Sequence, residues 1–240
     1  MSKSKFLNFS KKYPFLKKLY FTYNVYIRNF KFLKNGSQFQ EDKFILQNFP
    51  EKFKGSYLDI GCFHPTRHNN TYSLYKKGWK GINIDMNPLS IELFKFCRSR
   101  DTNLNLAISN DNSEKTVYFL GDLNTQNTLD YNQLNYLKKH HNVKEEDILE
   151  KKIQTQNINS VLEKFNLKNI DFMNLDVEGH EIEILSTINF SKININFLCV
   201  EMINHNEDSI EKGKKIHSYL TENQYKVVKK FDFNYIYKKI

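Results

Sequence analysis

Tyr57-Leu58-Asp59-Ile60-Gly61 sets the fold, because a short apolar run closing on an acid and a glycine has the form of a buried parallel strand entering a tight turn. Working outward, Ser56–Cys62 reads as the first strand, Lys80–Asp85 as the second and Leu104–Ile108 as the third. Thr116–Leu120 reads as a shorter fourth, Ile170–Asp176 as a central strand and Ile195–Glu201 as another buried one. Helix-like stretches separate these runs, and that alternation is the mark of a parallel α/β sheet. The tail, Tyr225–Val228 and Tyr235–Tyr237 around Asp232-Phe233-Asn234, alternates like a closing antiparallel hairpin. The expectation is one α/β domain with a mostly parallel seven-stranded sheet and a C-terminal hairpin.

Start and stop signals place the helices. Asn69, Asn70 and Thr71 offer caps for a short helix ending at Lys76-Lys77 before Gly78. Asn87-Pro88 opens the next, with Leu89, Leu93, Phe94 and Cys97 along one face. Ser160-Val161-Leu162-Glu163 has capping-box form and predicts a helix start. Further helices are predicted from about Gly179 to Thr187 and over Asp208–Leu220. The polar stretch 121–152, which holds His140-His141, reads as an excursion over the top of the sheet.

The chain has 240 residues, 40% hydrophobic and 26% charged, enough for one domain with a sizeable core. Cys62, Cys97 and Cys199 are widely spaced in apolar surroundings and form no CxxC pair, which suits a reduced, cytoplasmic interior. No apolar run is long enough to span a bilayer and no signal-peptide core opens the chain. The net charge of +9 is local: residues 1–40 hold Lys3, Lys5, Lys11, Lys12, Lys17, Lys18, Arg28, Lys31 and Lys34 and no acid. Residues 41–240 then balance all 27 acids with the remaining bases, so the body is neutral. A nucleic-acid groove needs a basic face on the folded domain, and none is implied. Residues 1–40 therefore stand apart from 41–240, with Gly36-Ser37 as the junction. That basic segment is also aromatic, from Phe6 to Phe32, a composition that suits peripheral contact of residues 1–35 with an anionic membrane surface at its inner face. The plainer reading is a helical extension that packs its rings on the body and leaves its lysines in solvent.

Ligands of open parallel sheets gather beyond the carboxyl ends of the strands. At the first end, Asp59-Ile60-Gly61 turns the chain where Gly61 has no Cβ to block a ligand. Asp85, ending the next strand, is placed to accept hydrogen bonds from the ribose of an adenosine cofactor. A dinucleotide needs further glycines to admit its pyrophosphate, and Cys62-Phe63-His64-Pro65 supplies none. Adenosylmethionine has no pyrophosphate, so one glycine suffices. At the other end, Asp176-Val177-Glu178-Gly179-His180-Glu181 puts acids and a histidine at the edge of the same crevice. For Glu181 the favoured reading is an acid at a helix start. Asp176, Glu178 and His180 are candidates for positioning an acceptor and taking its proton.

Two long stretches, Tyr57–Pro65 with Asn69–Asp85 and then Ile170–Leu185, resemble the FkbM family of methyltransferases in order and spacing, over roughly residues 55–205. The resemblance implies a Rossmann-like class I methyltransferase fold, S-adenosyl-L-methionine as cofactor and O-methylation, often of sugars or glycosylated metabolites. Carried over, Asp59 and Gly61 belong to the cofactor loop, Asp85 to the ribose contact, and Asn70 and Thr71 to an Asn-Thr pair after the loop. Ala107 in the third strand joins this cofactor set. Asp176, Glu178 and Gly179 match the family's acidic motif, and His64 a His-Pro pair found in part of the family.

His180 is the better-placed base, with His64 as a second catalytic candidate. A divalent metal, Mg or Mn on Asp176, Glu201 and His205, is the alternative way to polarise a hydroxyl. The expected activity is methylation of a sugar hydroxyl on a surface polysaccharide, glycoconjugate or nucleotide-sugar, with a carbohydrate or small molecule as acceptor. One rival is a nucleic-acid methyltransferase, which the neutral body and the absence of an Asn/Asp-Pro-Pro-aromatic run disfavour. The other is a non-catalytic cofactor-binding protein, against which Asp59, Asp85, Asp176 and Glu178 stand together.

Overall fold

A computed structural model describes residues 14–34, 36–121 and 124–240. Its centre is a seven-stranded sheet in the order β3-β2-β1-β7-β8-β10-β9. Here β1 is Ser56–Ile60, β2 Lys80–Asp85, β3 Thr102–Asn105, β7 Asn169–Leu175, β8 Asn194–Glu201, β9 Tyr225–Phe231 and β10 Asn234–Lys239. The first five are mutually parallel; β10 runs antiparallel to both β8 and β9, closing the predicted hairpin. Strand order reverses between β1 and β7, which opens a crevice at their carboxyl ends.

Helices cover both faces, so the central strands are apolar on both sides. Leu58, Ile60, Met173, Leu175, Leu198 and Val200 point into one core. Their neighbours Tyr57, Phe172, Phe197 and Cys199 point into the other, with Trp79 and Ile45. The helices named here are α1 (Pro14–Thr22), α2 (Glu41–Gln47), α3 (Tyr72–Lys76), α4 (Pro88–Cys97), α5 (Tyr131–His140), α6 (Ile158–Lys164), α7 (Glu181–Leu185) and α8 (Glu207–Glu222). The predicted cap of α4 is present: Asn87 accepts from the Leu89 amide at 3.0 Å, with Pro88 in the first turn. Gly78, at φ +92°, ends the α3 turn as its position implied.

Four expectations are corrected. The run Leu104–Ile108 is broken at Leu106, whose amide donates to the Asp85 carbonyl at 3.2 Å and steers the chain off the β2 edge. Beyond it, β4 (Ala107–Ser109) joins β6 (Leu149–Asn157) and β5 (Glu114–Phe119) in a second, three-stranded sheet. The stretch 121–152 therefore is not a plain excursion: it contains α5, capped by Asp130 and anchored by buried Leu134 and Leu137, and the start of β6. Ser160 does not start a helix, because Asn157 at the end of β6 already caps α6 by accepting from the Asn159 amide at 2.8 Å. The helix expected from Gly179 begins at Glu181, since Gly179 sits at φ +99°, outside the helical region.

The basic segment is largely helical over residues 14–34. α1 runs into a wider turn, Tyr23–Ile27, and a 3₁₀ turn, Phe30–Leu33. Phe21 and Val25 bury themselves against Leu89 and Leu93 of α4. Residues 1–13 and 35, part of the proposed membrane segment, lie outside the described residues. No helix among the described residues is long and apolar enough to cross a membrane.

Candidate active site

Asp59, one residue before the end of β1, is fully buried, and burial pushes its carboxyl up from the ordinary range. Three donors oppose that: Thr71 Oγ1 at 2.7 Å, Asn174 Nδ2 at 2.9 Å and Asn69 Nδ2 at 3.1 Å. Behind them the buried Arg98 guanidinium donates to Thr71 Oγ1 at 2.8 Å, to Asn69 Oδ1 and to the Pro65 carbonyl. A buried carboxylate with hydrogen bonds and a cation nearby is stable where a lone one is not. Asp59 is thus a framework carboxyl that fixes the turn, tied to β7 through Asn174, whose Oδ1 in turn accepts from Asn70 at 2.9 Å.

The turn brings the loop after β1 back onto Asp85. Its Oδ2 accepts from the Phe63 amide and its Oδ1 from the Asn87 amide, both at 2.7 Å. Burial raises this carboxyl to about 6 while the two amides hold it down.

At the end of β7 the chain turns through Glu178 at φ +55° and Gly179 at φ +99°. A left-handed non-glycine residue costs about 1–2 kcal/mol, so something must hold it. Thr128 Oγ1 donates to the Glu178 carbonyl at 2.8 Å, and Glu181 Oε1 accepts from the Val177 and Gly179 amides at 2.9 and 3.3 Å. Glu181 therefore braces the acidic loop in front of its helix. The result is a knot of three carboxyls, Asp176, Glu178 and Glu201, with ligand atoms within 4.8 Å of one another.

Both strand ends border one cavity of about 320 Å³, within the range of small-molecule sites. Of the residues singled out in the sequence, Asp59, Gly61, Asn70, Asp85, Ala107, Asp176, Glu178 and Glu201 line it. Ile84, Met86, Leu106 and Ile108 add an apolar wall beside Asp85. An apolar wall for the base next to a carboxylate that can accept from ribose hydroxyls is what a nucleoside requires, so the cavity fits an adenosine cofactor.

The structure places the other candidates away from the cavity wall. Thr71 is buried beneath the cavity and serves Asp59. His64 Nδ1 accepts from the Thr66 and Arg67 amides at 3.2 and 3.0 Å, and burial with the nearby Arg67 and Arg98 lowers it to about 3. It is a neutral turn-forming residue. His180 lies off the cavity, 2.8 Å from Ser109 Oγ and 3.7 Å from Glu183, and burial lowers its pKa. His205 stacks on Tyr136 at 4.7 Å, so Glu178 takes its place in the acidic knot.

Sequence reasoning missed Arg98, Asn174 and the role of Glu181. Asn174 had a visible signal, since an amide inside an otherwise apolar buried strand must find partners. Arg98 had none, for a cation after a helix reads equally as a favourable end charge.

The family model described as Methyltransferase FkbM domain matches residues 59–227. A comparison with curated proteins gives no match. Among solved structures, a candidate rRNA methylase from Clostridium thermocellum aligns with a TM-score of 0.42 at 12% identity, covering 84% of this chain and 96% of that one. The Methanococcus jannaschii fibrillarin pre-rRNA processing protein aligns with 0.39 at 14%, covering 80% and 69%. Since the family match takes in both strand ends and most of the residues lining the cavity, the chain belongs to the FkbM methyltransferase family and is an S-adenosylmethionine-dependent methyltransferase.

Proposed function

We propose that this enzyme is an O-methyltransferase acting on a hydroxyl of an uncharged sugar unit, within a surface polysaccharide or glycoconjugate. One observation carries the reading: the cavity is lined by Asp85, Asp176, Glu178 and Glu201 and, among the described residues, by no lysine or arginine. Such a wall offers no cation to hold a phosphate-rich acceptor, and its carboxyl oxygens accept hydrogen bonds from polyols. A nucleotide-sugar fits only with its diphosphate outside the cavity. Bound here, S-adenosylmethionine supplies an activated methyl group on a positively charged sulfonium. Asp85 and the apolar wall would hold its adenosine part.

Asp176 is the proposed base. Burial raises it to about 7, with the neighbouring Asp59 and Glu41 carboxyls acting in the same direction and its hydrogen bond with Glu201 opposing them. Glu178 and Glu201 are pushed well above the ordinary range, first by burial and then by neighbouring carboxyls, which favours their protonated forms. Glu201 then donates to Asp176 and keeps one oxygen in place. Asp176 can take the acceptor proton near neutrality, where a base of matched pKa contributes about 10²–10⁴-fold.

The proximity of three carboxyls also favours a second reading, a Mg or Mn ion held by Asp176, Glu178 and Glu201. Full activity after exhaustive chelation removes it. The primary test is methyl transfer from labelled cofactor to glycans, nucleotide-sugars and RNA assayed in parallel. Label in a neutral glycan supports the proposal; label in RNA alone overturns it.

A further inference from the structure

We propose that residues 14–34 form a docking surface for an anionic lipid membrane. The segment has two apolar sides. One, with Phe21 and Val25, is consumed by packing on α4. The other carries Phe15, Leu19 and Tyr23, spaced four apart as a helical stripe requires, and continues through Tyr26, Ile27 and Phe30. All six are exposed, Phe15 by 69% and Phe30 by 70%. Monomeric proteins rarely leave contiguous apolar groups of this kind uncovered.

Charge selects the occupant. Lys18, Arg28, Lys31 and Lys34 are exposed on the same segment, which contains no acid. An apolar aromatic stripe framed by cations matches the boundary of an anionic bilayer, where rings settle at headgroup depth and cations meet phosphates. With nine residues in α1 the element cannot span, so it lies along the surface. The surface is contiguous with the cavity. Phe32 packs on His68 at 4.8 Å, His68 Nδ1 meets Gln38 Oε1 at 3.0 Å, and Gln38, Phe39 and His68 line the cavity wall.

The test is co-sedimentation of the full chain with phosphatidylcholine vesicles, with and without phosphatidylserine. Binding should appear only with phosphatidylserine and weaken with added salt. A Phe15→Ala, Leu19→Ala, Phe30→Ala variant should bind at least about tenfold more weakly, and so should Lys18→Glu with Arg28→Glu. Adenosylhomocysteine affinity and the circular dichroism spectrum establish that each variant is folded, and the charge variant keeps the test open where the apolar one does not fold. Equal partition into neutral vesicles, or undiminished binding by both variants, overturns the proposal. So does a self-associated form in solution that the apolar variant dissolves, because a second copy would then cover the stripe.

Discussion

Gly61 and Asp176 meet backbone to backbone: a Cβ on Gly61 would stand 1.6 Å from the Asp176 carbonyl oxygen. The glycine that lines the cavity is required also by the neighbouring strand end. The Asp176 amide also donates to the Ile60 carbonyl at 3.1 Å, so cofactor loop and acidic loop are one unit. Gly61→Ala must displace that carbonyl and adopt φ +78°. We expect a loss of about 3 kcal/mol or more, hence a thermal midpoint lower by about 6–12 °C. Adenosylhomocysteine affinity should fall with it. A midpoint equal to the wild type's would show that the two ends move apart at no cost.

Asp176 gives a pH signature. Its carboxyl is raised from 3.8 to about 7 in the folded chain, so the native state favours the protonated form. The stabilisation from that proton is complete below the unfolded value and is lost as pH rises through 7. Asp176→Asn keeps the uncharged shape at every pH. Relative to wild type its thermal midpoint should therefore rise between pH 4 and pH 8, while turnover falls by about 10²-fold or more and cofactor affinity persists. Wild-type turnover should climb with pH through about 7 as the base deprotonates. A flat turnover profile, or a midpoint difference independent of pH, contradicts the assignment.

Arg98 tests the framework. Arg98→Met removes the donors to Thr71, Asn69 and Pro65 and leaves Asp59 buried without its cation. Breaking a buried ionic arrangement costs about 3–5 kcal/mol. Arg98→Lys should recover little of this, because three acceptors in different directions need a planar fork. Chemical denaturation of the two variants distinguishes the outcomes, and full recovery by lysine would show that charge alone suffices.

The central strands β1, β7 and β8 were legible because burial on both faces leaves a mostly apolar run in the sequence, as in Leu58–Ile60 and Phe172–Leu175. Asp59, Asp85 and Asp176 were legible because an acid interrupting such a run has to be placed for a reason. Histidines were not. His64, His180 and His205 carry the same letter as a base or ligand, yet each is spent on local bonding: amides for one, Ser109 for another, an aromatic stack for the third. That distinction is tertiary. Glu178 lines the cavity, but the left-handed turn that carries it depends on Thr128 and Glu181, which no periodicity reveals.

His180 separates the two readings of the acidic end most directly. As a base it would make His180→Gln about as damaging as Asp176→Asn. In the structure its Nε2 faces Ser109 Oγ at 2.8 Å, joining the acidic loop to β4, and it does not line the cavity. Glutamine can restore a hydrogen bond to that hydroxyl. Turnover of His180→Gln should then stay within about threefold of wild type, a free-energy change under about 1 kcal/mol, and the rise in rate through pH 7 should survive. His180→Leu should lose stability by about 1 kcal/mol, because Ser109 Oγ keeps its bond to Asn110 Oδ1 at 3.0 Å and loses only the one to His180, again with the pH profile intact. A loss of the pH-dependent limb in His180→Gln would return the base to the histidine and make Asp176 a positioning residue.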